Sequence, residues 1–269
     1  MFPFKHMHKK ILIFGAGVIG SLYAAKLQLA GENVTILARE KRLEQLRKNG
    51  IVWQDAFNKK RQTVIPSVTD TLTPQDDYDM VVIHVRANQL TSVLPILSAN
   101  KKIPIYLFMV NFPQGFQEVA KTVGEKRIVV GFPGAGGSMT KDGILIASLA
   151  LGFAQPTTLG ELDGKATKRL EEISLIYRNA GFPTALSTNI DAWLKTHVVW
   201  TLPLECMLYK YKYDSVKIAK DTLALKTIAL GIKEGIHVLH GLQIPILPFQ
   251  IQFIFDVAPL YVCKLILKA

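Results

Sequence analysis

A short apolar run that ends in three glycines at fixed spacing constrains this chain more than any other feature. Ile11, Leu12, Ile13 and Phe14 lead into Gly15-Ala16-Gly17-Val18-Ile19-Gly20. An apolar run without alternation predicts a strand buried on both faces. From Ser21 to Ala30 the apolar residues recur at helical spacing, with Leu22, Ala25, Leu29 and Ala30 on one side. Strand, Gly-x-Gly-x-x-Gly turn and helix, in that order, predict a dinucleotide-binding turn. Gly15 permits the tight turn. Gly17 leaves the backbone open to a pyrophosphate, and Gly20 lets the helix lie close on the strand. The helix start offers unpaired N–H groups and a positive dipole end, so Ala16, Val18 and Ile19 join the three glycines as expected phosphate contacts. The competing reading is a turn that binds nothing, and the next strand argues against it.

That strand is Asn33-Val34-Thr35-Ile36-Leu37, after a helix stop at Gly31. A carboxylate at its tip would take the ribose hydroxyls of NAD. Here the tip reads Ala38-Arg39-Glu40, with Arg42 close behind. A guanidinium clamps a 2′-phosphate with paired donors, whereas a carboxylate repels it. The expected cofactor is therefore NADP, with Arg39 as clamp and Arg42 as support. Two alternatives stay open: Glu40 turning back to a ribose hydroxyl, and Arg42 as a solvated charge at a helix start.

A chain of 269 residues fits one large or two medium domains with a sizeable core. Hydrophobic residues at 49% against 20% charged exclude a disordered chain. The net charge of +11 suits an anionic ligand. The basic residues are scattered and follow no nucleic-acid-binding pattern, so no nucleic-acid partner is expected. Cys206 and Cys263 are the only cysteines, which argues against a disulfide framework or a metal site and for a reduced, cytoplasmic setting. The first nine residues, including His6 and His8, read as a frayed lead-in.

Further along, the pattern predicts a helix from Leu43 to Lys48 and a hairpin from Ile51 to Ile65 turning near Asn58-Lys59. Buried strands follow at Asp79–Val85, Ile103–Val110 and Arg127–Gly131, with helices at Leu90–Leu97 and Phe116–Val123 between them. Short strands are expected at 144–147 and 157–159, and Gly134–Ser138 reads as a loop bordering the cofactor crevice. This alternation predicts an α/β fold with a Rossmann-type, mostly parallel sheet. Around Gly164 the pattern turns helical, and no strand is expected beyond Thr167. The boundary is placed there: 1–164 as the NADP-binding domain, 165–269 as an all-helical substrate and dimerisation domain. Helices are expected at Lys165–Asn179, at Ile190–Leu208 with a break at Pro203, and at Asp221–His240. Ile244 to Leu267 is very apolar, but prolines and polar residues interrupt it. It reads as core helix or homodimer surface and not as a membrane span. The end at Leu267-Lys268-Ala269 carries no stop signal, so a further segment is expected.

These residues together resemble the ketopantoate reductase (2-dehydropantoate 2-reductase) family over most of the chain. KILIFGAGVIGSLYAAKL is similar to the family's opening. In IHVRANQL, Arg86 stands where the family commonly has a Lys near cofactor and substrate, and Gln89 matches a polar position nearby. Asn111 ends a strand, as does the family's Asn beside the nicotinamide. Trp193-Leu194-Lys195 resembles the family's Trp-x-Lys, whose Lys is general acid and substrate ligand. The resemblance implies an NADP-dependent oxidoreductase of pantothenate biosynthesis with a small 2-oxo acid as substrate.

Reduction of a ketone needs a cation or acid beside the oxygen as negative charge builds there. Lys195 is the candidate, against an ordinary solvated lysine. Arg86 would hold a substrate carboxylate or a cofactor phosphate, and Asn111 would orient the carboxamide or the substrate, against a turn-forming Asn. His197 lies two residues past Lys195 and reads as structural. Glu234, His237 and His240 share a helix face without making a metal site, and no metal is expected. Two other functions stay open. One is a non-catalytic NADP(H)-binding or redox-sensing protein; the other is a 3-hydroxyacid-type dehydrogenase using the same acid.

Overall fold

The computed structural model describes residues 8–149, 155–259, 262, 263 and 267. The expectations for the first seven residues, and for parts of the apolar tail, lie outside this set. The chain divides into two compact units. One is built from the residues up to Asn111 with Phe116–Ile190; the other is built from Phe112–Gly115 with the residues from Asp191 onward.

The first unit opens with β1 (Lys10–Phe14), α1 (Val18–Leu29), β2 (Asn33–Leu37) and α2 (Glu40–Asn49). It continues with β3 (Ile51–Asp55), β4 (Arg61–Val64), β5 (Ser67–Thr69), β6 (Met80–Ile83), α3 (Ala87–Ala99), β7 (Tyr106–Phe108) and α4 (Gln117–Val123). Then come β8 (Ile128–Phe132), β9 (Ala135–Met139), β10 (Leu145–Leu149), β11 (Thr157–Gly160), α5 (Lys168–Asn179) and β12 (Thr184–Leu186).

Eight strands form one sheet in the order β12-β11-β8-β7-β6-β1-β2-β5, parallel except where β11 meets β8. The central strands β1 and β6 are buried on both faces, as their unbroken apolar runs require. The 51–65 hairpin forms as expected, with Ile51 opposite Val64. It belongs to a second, four-stranded sheet, β4-β3-β10-β9. That second sheet covers the outer side of α1. Enclosed between two sheets, α1 buries Leu22, Tyr23, Ala24, Ala25 and Leu27.

Three expectations change here. The segment after Phe132 is not a loop: Ala135–Met139 pairs antiparallel with Leu145–Leu149. A strand does occur beyond Thr167, since Thr157↔Thr184 and Leu159↔Leu186 pair in parallel. The first unit also runs on to Ile190 and not to about 164. The cause is packing. The apolar side of α5, Leu170, Ile173, Ile176 and Tyr177, joins Phe182 in the core of the first unit. Tyr23 of α1 stacks on Phe182 at 4.1 Å between ring centres and meets the edge of Tyr177 at 5.5 Å.

In the second unit the described elements are helical: α6 (Ile190–Lys210, whose first residue closes the first unit), α7 (Ser215–Lys220), α8 (Thr222–Gly241) and the short α9 (Phe249–Gln252). Asp221 caps α8 by accepting the N–H groups of Leu223 and Ala224. Helix α6 runs unbroken through Pro203, where a break was expected. Two glycines of α8 accommodate it. A Cβ on Gly231 would stand 3.1 Å from the Pro203 ring, and one on Gly235 would stand 2.5 Å from Val199. Close packing against α8 thus holds the turn that Pro203 weakens.

Candidate dinucleotide site

The glycine turn is locked from three sides. Gly15 N–H reaches Leu37 O at 3.3 Å, and His84 N–H reaches Phe14 O at 2.9 Å, tying the tip of β1 to both neighbouring strands. Gly15 has φ +116°, and a Cβ there would meet His84 O at 2.4 Å. A Cβ on Gly20 would meet Gly15 O at 2.0 Å, so α1 lies on the turn itself. Gly17 differs: a Cβ there would meet nothing within 4 Å. Its Cα faces open space, which a side chain would occupy.

Helix α1 starts at that open position. Gly17 is its N-cap, no side chain caps it, and its first turn carries no acidic residue. Its leading N–H groups and positive dipole end are left for an anion. The space in front is a cleft of about 550 Å³. Its walls include the whole turn from Gly15 to Gly20, Arg39 and Arg42 on one side, and His84, Arg86, Gln89, Met109 and Pro133 on the other. Ligands of open α/β sheets sit at such a position, beyond the carboxyl ends of the strands. An uncapped helix start, an unfilled Cβ position and flanking guanidinium groups fit a dinucleotide diphosphate.

The two arginines differ. Arg39 is exposed at the tip of β2. Arg42 is half-buried and largely committed to the protein. Its Nε donates to Ala16 O at 3.3 Å, Nη1 to Gly143 O at 3.0 Å, and Nη2 to Ser21 Oγ at 3.1 Å. Arg42 therefore braces the glycine turn against the second sheet as well as lining the cleft. Burial pushes its pKa down.

On the far wall, Arg86 is exposed and begins α3 as its N-cap. Gln89 Oε1 accepts Arg86 N–H at 3.1 Å, so Gln89 caps that helix. Asn111 stands past the end of β7 and is not among the cleft walls, although Met109 is. Its Oδ1 is enclosed without a hydrogen-bond partner.

His84, the first residue past β6, received no role from the sequence. It lines the cleft, its Nε2 is enclosed without a hydrogen bond, and burial pushes its pKa down to about 3. The available signal was its place at the carboxyl end of a central strand, two residues before Arg86.

In the second unit, Lys195 pairs with Asp191 one turn earlier on α6. His197 is stacked on Trp193, 5.1 Å between ring centres and 6° between planes, and meets Trp200 edge-on. It is a packed ring, as expected. Burial pushes its pKa down to about 4. His240 Nε2 lies 2.7 Å from Asp256 Oδ2. Among the described residues no helix is long and apolar enough to cross a membrane.

A nicotinamide-dinucleotide fold with a helical companion unit defines a class of oxidoreductases. The family model for ketopantoate reductase PanE/ApbA matches residues 11–164, and the chain belongs to that family, whose members are NAD(P)H-dependent oxidoreductases. The 2-dehydropantoate 2-reductase of Pyrococcus abyssi is 22% identical over 252 residues, 91% of this chain and 79% of the relative. Among solved structures, the 2-dehydropantoate 2-reductase of Geobacter metallireducens superposes with a TM-score of 0.76 at 20% identity, covering 96% of this chain and 82% of that one. A D-mandelate dehydrogenase with NADH and anilino(oxo)acetate superposes with a TM-score of 0.74 at 17% identity, covering 96% and 79%. At these identities the structural likenesses establish the fold.

Proposed function

We propose that this protein is an NADPH-dependent reductase of a small 2-oxo acid. The observation that carries the reading is the open glycine cradle at Gly17, set between an uncapped helix start and the exposed guanidinium of Arg39. Arg39 takes the 2′-phosphate as a bidentate donor. Arg42 keeps the turn in shape and adds positive charge. The backbone of Gly15, Ala16, Gly17, Val18, Ile19 and Gly20 holds the diphosphate.

When bound, the reduced nicotinamide supplies a hydride to the carbonyl carbon of the substrate. The remaining chemistry belongs to side chains. The Lys195 ammonium stabilises the developing alkoxide and gives it a proton. Arg86 holds the substrate carboxylate or a cofactor phosphate, with Gln89 fixing the helix start beside it. Asn111 orients the carboxamide or the substrate, which gives its enclosed Oδ1 a donor to accept from. The substrate class follows the relatives named for 2-dehydropantoate and the neighbour that holds anilino(oxo)acetate. Two cysteines without a disulfide suit a reducing, cytoplasmic setting.

The test is NADPH oxidation with a panel of 2-oxo acids that includes 2-dehydropantoate. Turnover with at least one acid, lost in Lys195→Ala, supports the reading. Cofactor binding without turnover of any of them favours the non-catalytic alternative.

A further inference from the structure

We propose that His84 is a ligand of the nicotinamide half of the dinucleotide, its uncharged imidazole hydrogen-bonding a ribose hydroxyl or the carboxamide. The proposal rests on the reading of the cleft as a dinucleotide site.

The strand order divides the cleft. The glycine turn tops β1, Arg39 tops β2 on one side, and His84 tops β6 on the other, with Met109 beyond β7. A dinucleotide whose diphosphate sits at β1 and whose 2′-phosphate sits at Arg39 must send its other half over β6 and β7. Of the polar side chains on that wall, Gln89 already accepts the Arg86 N–H, and Arg86 is exposed. His84 is the one with an enclosed, unpartnered nitrogen. An enclosed polar atom without a partner is costly, and such atoms gather where a ligand completes them.

The ring is also held in place. Its backbone N–H is bonded to Phe14 O, and its carbonyl oxygen packs on Gly15. Its face meets Tyr23 at 5.0 Å between centres and 50° between planes. Tyr23 is fixed in turn by Thr157, 2.5 Å from its hydroxyl, and by the stack on Phe182. The ring lines the cleft, and a half-turn about Cβ–Cγ exchanges its two edges without moving the backbone. Burial keeps the ring neutral, and a neutral ring suits hydroxyl and amide groups better than phosphate.

The experiment is calorimetric titration of the wild type, His84→Phe and His84→Gln with NADPH and with adenosine 2′,5′-bisphosphate, which carries only the adenosine half. Phe keeps a ring against Tyr23 and removes both nitrogens. The expected result is NADPH binding weakened about tenfold in His84→Phe with the bisphosphate changed less than about twofold. His84→Gln, which restores a neutral donor and acceptor, recovers part of the loss. Unchanged NADPH affinity in His84→Phe overturns the proposal, and so does an equal loss for both ligands, which marks a packing defect. Wild-type protein that binds neither ligand overturns the dinucleotide reading itself, an outcome distinct from the other two.

Discussion

A Cβ on Gly20 would stand 2.0 Å from the carbonyl oxygen of Gly15, whereas one on Gly17, three residues earlier, would touch nothing within 4 Å. The two substitutions should therefore separate fold from ligand. Gly20→Ala forces α1 off the turn and should cost about 2 kcal/mol of stability, on the scale of overpacked sites. Gly17→Ala should leave the denaturation midpoint nearly unchanged, yet place a methyl where the diphosphate lies and weaken NADPH binding at least about tenfold. Denaturant melts and a binding titration on both variants check this. Unaltered binding in Gly17→Ala would contradict the placement of the diphosphate.

The arginines separate in the same way. Arg39 is exposed, while Arg42 bonds Ala16, Ser21 and Gly143. Arg39→Ala should lower NADPH affinity about tenfold or more, as expected for losing a charge-assisted pair. NADH affinity should be unaffected. Arg42→Ala should also lower the melting temperature, because it frees the turn from the second sheet. Equal losses for both nucleotides in Arg39→Ala would remove its role as the 2′-phosphate clamp.

Glu161 is buried and receives two nitrogens of Arg169, Nε at 2.8 Å and Nη2 at 2.5 Å. This pair ties α5 to β11 and carries the first unit past residue 164. Removing one partner of such a pair strands the other charge. Glu161→Ala should cost about 3 kcal/mol. Chemical denaturation measures it, and a cost under about 0.5 kcal/mol, the range of ordinary surface changes, would contradict it.

Acid should weaken the fold through two imidazoles. Burial holds His84 at about 3 and His197 at about 4, against 6.5 for a free ring. Between those values the unfolded chain binds more protons than the folded one. The stabilisation is therefore complete above pH 6.5 and is lost as the pH falls toward 4 and then 3, at up to about 1.4 kcal/mol per pH unit for each ring. The urea midpoint should be lower at pH 5 than at pH 7.5, and His84→Phe should flatten the dependence. A midpoint that rises on acidification would contradict it.

Local patterns were legible in the sequence, and non-local pairings were not. The glycine turn, β1, β2, α1 and α8 follow from runs and spacing within a few residues. β9, reading Ala135-Gly136-Gly137-Ser138-Met139, has little strand propensity and exists because β10 pairs with it. β12 is a three-residue strand that only its partner β11 defines. Pro203 signals a break that close packing on Gly231 overrides. Around the cleft, the place of the glycine turn and of Arg39 among its walls was readable from position alone. The bracing role of Arg42 was not, since Gly143 lies 101 residues away in sequence. His84 had its strand-end position as a signal, but its enclosed nitrogen is a matter of packing that no sequence pattern reveals.

The most direct test of the central claim is calorimetric titration of the purified protein with NADPH and NADH side by side. Saturable 1:1 binding of NADPH in the micromolar range, about −8 kcal/mol, with NADH weaker by at least about tenfold, is the predicted result. No saturable heat with either nucleotide would contradict it.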